Sequence, residues 1–66
     1  MDVIVNGEQR RVRSGSTVEE LIEQLGLRSQ PCAAEVNGSL VLRADRPDRV
    51  LSPGDRIEIV TLVGGG

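Results

Sequence analysis

Few residues in this 66-residue chain could take part in chemistry, and most are the wrong kind for catalysis. Histidine and lysine are absent, all eight basic residues are arginine, and Cys32 is the only cysteine. Without histidine the commonest general base is missing, and a transition-metal site has almost no ligands to draw on. Without lysine neither a Schiff base nor a phosphate-binding P-loop can form. Cys32, followed by Ala33 and Ala34, reads as a small buried hydrophobe, because a reactive thiol needs an exposed, electropositive setting. Asp45, Asp48 and Asp55 fall at turns, where aspartate bonds its own backbone. What remains is the chain end, where Ile59, Val60, Thr61, Leu62 and Val63 run into Gly64, Gly65 and Gly66. Glycine has no side chain to bury and loses the most freedom on ordering, so residues 64–66 are expected to be a flexible tail. Such a tail is either a frayed end or the working part of the chain.

Something must hold that tail in place. The composition is 38% hydrophobic and 27% charged, a globular mixture, and one short domain over residues 1–63 is expected. Aromatic residues are absent, so the core must be aliphatic and base-stacking platforms are missing. A net charge of −2 argues further against a nucleic-acid partner. Arg10, Arg11 and Arg13 read as a solvated edge strand, where charge discourages edge-to-edge pairing. One cysteine allows no internal disulfide, and no run is long enough for a signal peptide or a membrane span. A cytoplasmic protein, monomeric when free, with no metal and no cofactor of its own, is expected.

The elements follow from local chemistry. Residues 2–5 and 8–13 flank Asn6-Gly7, whose positive φ angles suit a tight type I′ hairpin. Thr17 and Glu20 fit a capping box, with Ser16 and Glu19 as an equally spaced rival. Val18, Leu21, Ile22 and Leu25 form one apolar stripe, Glu19, Glu20 and Glu23 lie on the solvated side, and Gly26 ends the helix. The run "CAAEVNG" reads as a third strand, and its Asn37-Gly38 turns into "LVLR". A less regular stretch around Pro47 follows, then a Pro53-Gly54 turn and a last strand, "RIEIVTLV". Strand, strand, helix, strand, strand, strand makes an α+β domain, a mixed sheet of about five strands covered by one main helix. That order matches the β-grasp, or ubiquitin-like, arrangement.

The chain resembles the ThiS proteins, the sulfur carrier family of the thiamine pathway, over its whole length. The opening "VIVNGE", the helix "TVEELIEQLGL", the turn "AAEVNGSLV", the block "LSPGDRIEIVTLV" and the terminal glycines carry the likeness. The resemblance implies a carrier, not an enzyme, with Gly66 as sulfur acceptor and donor. An E1-like, ThiF-like adenylyltransferase would use ATP to adenylate the Gly66 carboxylate. Sulfur originating in a cysteine desulfurase persulfide would replace AMP, and a ThiG-like thiazole synthase would take it from the thiocarboxylate. ATP would be bound by the partner, since the chain has no phosphate-binding glycine motif. The small subunit of molybdopterin synthase and a protein-conjugating ubiquitin-like modifier are the alternative uses of such a tail.

Alternation places Val3, Val5, Val12, Val36, Ile57 and Ile59 with the helix stripe in the core. Val60 and Leu62 then point to the opposite side, together with Ile4. With Val63, Gly64 and Gly65, these three are the expected partner-binding residues, forming an apolar patch beside the tail.

Overall fold

The computed structural model describes residues 1–62; the expected domain boundary at residue 63 and the glycine tail lie outside the described residues. Strands β1 (Asp2–Val5) and β2 (Glu8–Arg11) form an antiparallel hairpin in full register, Asp2 opposite Arg11 and Val5 opposite Glu8. Asn6 and Gly7 both take positive φ, 50° and 84°, as a type I′ turn requires. Helix α1 (Val18–Gln24) follows, then β3 (Cys32–Val36) and β4 (Ser39–Val41), joined by a second turn with Asn37 at 52° and Gly38 at 84°. A 3-10 turn (Arg43–Asp45) leads to β5 (Arg56–Thr61). The sheet order is β2-β1-β5-β3-β4, with β5 parallel to β1 and antiparallel to β3. This is the mixed five-stranded sheet with one helix that the element order predicts.

Local rules fix the helix at both ends. The capping box is the Thr17–Glu20 pair: the Glu20 N–H donates to Thr17 Oγ1 at 3.2 Å and the Thr17 N–H to Glu20 Oε1 at 3.0 Å. At the other end Gly26 has φ +75°, its N–H bonds the Glu23 carbonyl, and the Leu27 N–H reaches back to Ile22. Those two bonds make a Schellman motif and satisfy carbonyls that the last turn leaves open. The other helix-start amides are met from afar, Val18 N–H by the carbonyl of Arg49 and Glu19 N–H by that of Arg46.

The helix stripe Val18, Leu21 and Ile22 meets Val3, Val5, Val12, Ala34, Val36, Ile57 and Ile59 in the core. Cys32 is buried there, as its alanine neighbours suggest. Leu25 differs from expectation: it is the C-cap residue and packs against the core only partly buried, because the stripe turns outward as the helix ends. Val41 and Leu51 join the core unforeseen. Arg10 and Arg11 lie on an exposed edge strand, and Asp55 holds its own turn by accepting the Ser52 N–H at 2.8 Å. Among the described residues no His, Cys, Asp or Glu group is placed to hold a metal ion, and no helix is long and apolar enough to cross a membrane.

Candidate functional site

The candidate site is the C-terminal end of β5 and the surface beside it. β5 is the central strand, and the two Asn-Gly turns grip it from both sides. Asn6 Nδ2 donates to the Ile59 carbonyl at 3.2 Å, while Asn6 Oδ1 accepts the Ile59 N–H at 2.8 Å. The side chain thereby extends the β1–β5 ladder beyond the point where β1 ends. On the other flank Asn37 Oδ1 accepts the Arg56 N–H at 2.9 Å, and Nδ2 donates to the buried Asp55 carboxylate at 3.0 Å. At the far end the Leu62 N–H donates to the Pro31 carbonyl at 2.9 Å. The strand that leads into residues 63–66 is thus anchored at its start, middle and end.

Val60 and Leu62 are exposed, at 57% and 54%, as alternation predicts. Ile4 is half-buried on the same side of the sheet, but the expected contiguous patch does not form. Ile4 lies opposite Arg56, at the first residue of β5. Val60 lies four residue steps beyond Arg56, about 13 Å of strand, and the exposed Glu58 stands between. β1 pairs with β5 over two residues only, Ile4–Arg56 and Val5–Ile57, and this short overlap displaces Ile4.

The apolar surface lies instead toward β3 and β4. Ala33 is opposite Val60, and Leu40 is opposite Glu35 on the same outward side. Leu42, extended and next in register after the Ala34–Val41 pair, follows Leu40; the two are 60% and 62% exposed respectively. Val60 and Ala33 are paired across β5 and β3, and Leu42, just beyond the end of β4, continues their row. Leu40 and Leu42 were missed from the sequence, although the Asn37-Gly38 turn fixes their register and alternation then turns them outward. Beside the row, Glu35 and Glu58 stand directly opposite each other, both exposed. Like charges in cross-strand positions are unfavourable within the sheet. The roles expected of Val63, Gly64, Gly65 and Gly66 lie outside the described residues.

Residues 3–66 match the model of the ThiS family. The chain is 38% identical over 64 residues to the sulfur carrier protein ThiS of Thermus thermophilus, covering 97% of this chain and 98% of that one. It is 36% identical over 66 residues to a thiazole synthase of Paramagnetospirillum magneticum, all of this chain but only 20% of that protein's length. The crystal structure of the thiamine biosynthesis protein ThiS of Geobacter metallireducens superposes with a TM-score of 0.84 at 28% identity, covering both chains completely.

Proposed function

The chain belongs to the ThiS family, and on that premise we propose that it carries sulfur for thiamine biosynthesis as a thiocarboxylate on Gly66. The observation that carries this reading is the near end-to-end match to a sulfur carrier on a fold whose central strand leads into the glycines. An E1-like enzyme adenylates the Gly66 carboxylate with ATP, releasing pyrophosphate and turning a poor acyl group into one with AMP as leaving group. The outer sulfur of a desulfurase-derived persulfide attacks the acyl adenylate and displaces AMP, giving an acyl disulfide. A thiol then attacks the inner sulfur, supplies the two electrons as it forms a disulfide, and releases the Gly66 thiocarboxylate. Thiazole synthase then takes the sulfur. That partner is supported by the thiazole synthase relative, which contains within its own longer chain a stretch similar to all 66 residues. The carrier itself supplies no acid, base or nucleophile; it supplies a hydrogen-bonded central strand, an apolar surface and a glycine sequence at its end.

The test is intact mass spectrometry of the chain after incubation with the activating enzyme, ATP and a desulfurase with cysteine. Replacement of one oxygen by sulfur at Gly66 is expected. A stable covalent adduct with another protein, without that exchange, would replace the carrier by a modifier. Position matters as much as identity. Deleting Gly66 draws the terminus back by up to about 3.3–3.6 Å, and misplacement on the ångström scale costs on the order of 100-fold in rate. Pyrophosphate release should fall by at least that factor, and one residue added after Gly66 should have a comparable effect. Normal activation of either variant would remove Gly66 from the account.

A further inference from the structure

The two outer strands of the sheet, β2 and β4, differ sharply in how their open edges are protected. β2 reads Glu8-Gln9-Arg10-Arg11 and is exposed at every residue, and charge on an edge discourages another chain from pairing with it. β4 reads Ser39-Leu40-Val41 and carries no charge. The Asn37-Gly38 turn settles which of its backbone groups are open. A two-residue hairpin loop closes on a hydrogen-bonded pair, here Val36 with Ser39. Alternation then points Ser39 and Val41 backbone groups toward β3, and the Leu40 N–H and C=O away from the sheet. The Leu42 N–H points away likewise, while its carbonyl already accepts the Asp45 N–H at 2.8 Å. Leu40 and Leu42 are also the most exposed large apolar side chains among the described residues. On the core side of the same edge lies a groove of about 390 Å³, whose lining includes Val36, Val41, Asp45 and Arg49.

We infer that the β4 edge pairs with the β4 edge of a second copy of this chain, antiparallel about a two-fold axis. The edge is complementary to itself. With Val41 opposite Val41, Leu40 of each copy stands opposite Leu42 of the other, so the exposed leucines cover one another. In that register the Leu42 N–H donates to the second copy's Leu40 carbonyl. The Leu40 N–H donates to the second copy's Leu42 carbonyl, whose other lone pair keeps the bond from Asp45. Charge agrees with the same symmetry. Each groove offers one acidic and one basic side chain, and a two-fold axis reverses one copy against the other. Asp45 then faces Arg49 instead of its like, and the pair repeats across the axis. Only residues 39–43 of each copy pair, far short of the roughly 800 Å² per partner of a stable complex, so the dimer is weak and forms at high concentration. The inference goes beyond the carrier reading and does not depend on it.

Sedimentation equilibrium of the intact chain from about 10 μM to about 1 mM should show monomer passing to dimer and stopping there. Over that range the Leu40 amide should gain protection from hydrogen exchange, and the Arg11 amide on the β2 edge should not. Leu40→Lys puts a charge on the edge at an exposed position and should weaken association at least about tenfold. Asp45→Arg should also weaken it, and adding Arg49→Asp should restore it, a rescue that loss of folding cannot imitate. Circular dichroism melts check that each variant is folded. A chain that remains monomeric throughout would overturn the inference, as would a dimer indifferent to Leu40→Lys or protection that appears at Arg11. Association lost in Val60→Asp but kept in Leu40→Lys would also overturn it, placing the contact on the open face of the sheet. None of these results bears on the carrier reading, which the mass change at Gly66 tests separately.

Discussion

Asn6 sits at φ +50° and Asn37 at φ +52°, a region that asparagine enters more readily than other side chains. Turn chemistry alone accounts for that choice, and it is visible in the sequence as Asn-Gly. The second use of each side chain is not visible there, because the partners, Ile59 and Arg56, are 53 and 19 residues away. The two uses can be separated by substitution. Asn6→Gly keeps the positive φ at little steric cost and removes both bonds to Ile59. If the clamp matters, this variant should lose about 1–3 kcal/mol in urea unfolding, the range for two net hydrogen bonds with little left to replace them. A midpoint equal to that of the wild type would reduce Asn6 to a turn former. Cys32 is the contrasting case. Its burial among Ala34, Ile59 and the helix stripe is what a small hydrophobe's neighbours in the sequence suggest, and its carbonyl, not its thiol, makes the contact to Arg46.

The elements divide into those specified by neighbours in sequence and those specified across the molecule. Both hairpins and both ends of α1 belong to the first kind: Asn-Gly, Thr17 with Glu20, and Gly26 each act within five residues, so they are legible in the sequence to within a residue. The pairing of β1 with β5 belongs to the second. No turn joins these strands, and alternation says which side a residue faces but not which residue stands beside it, so the sequence does not reveal that Ile4 stands beside Arg56. The segment from the 3-10 turn to Leu51 is likewise non-local. Its carbonyls at Arg46 and Arg49 close the helix start, and Leu51 N–H bonds the Ser16 carbonyl, contacts that no spacing rule announces. The helix is therefore secured twice at its start, by its own box and by this segment. Thr17→Ala removes only the first and should cost about 0.5–2 kcal/mol. Leu21→Ala, at a fully buried position, should cost about 2–5 kcal/mol, a large part of the roughly 5–15 kcal/mol that a domain possesses. Thermal melts that rank the two the other way would show that the cap, not the stripe, holds the helix to the sheet.

At the scale of the molecule, the proposed interface and the core lie on opposite sides of the sheet. The side facing α1 carries every aliphatic strand residue of the core, whereas the outward side carries Val60, Ala33, Leu40 and Leu42 with Glu35 and Glu58. A chain without aromatics cannot place a large anchor in a partner's pocket. On the proposed reading its affinity would come from small and branched side chains, on a strand held by the Asn6 and Asn37 bonds. The two sides should then respond oppositely to substitution. Val60→Asp and Leu42→Asp both alter outward, solvated positions, so each should change unfolding free energy by no more than about 0.5 kcal/mol. Either one places a charge in the centre of the proposed interface beside two existing carboxylates. A loss of about 2 kcal/mol or more is expected, close to thirtyfold in Kd for thiazole synthase. Ile4→Asp, two register steps away and beside Arg56, should weaken binding far less. Leu21→Ala should do the reverse of all three, lowering the melting temperature while leaving Kd unchanged at temperatures where the variant is folded. If Ile4→Asp instead weakened the complex as much as Val60→Asp, the interface would extend across β1, and the row through Ala33 and Leu42 would not be what the partner reads.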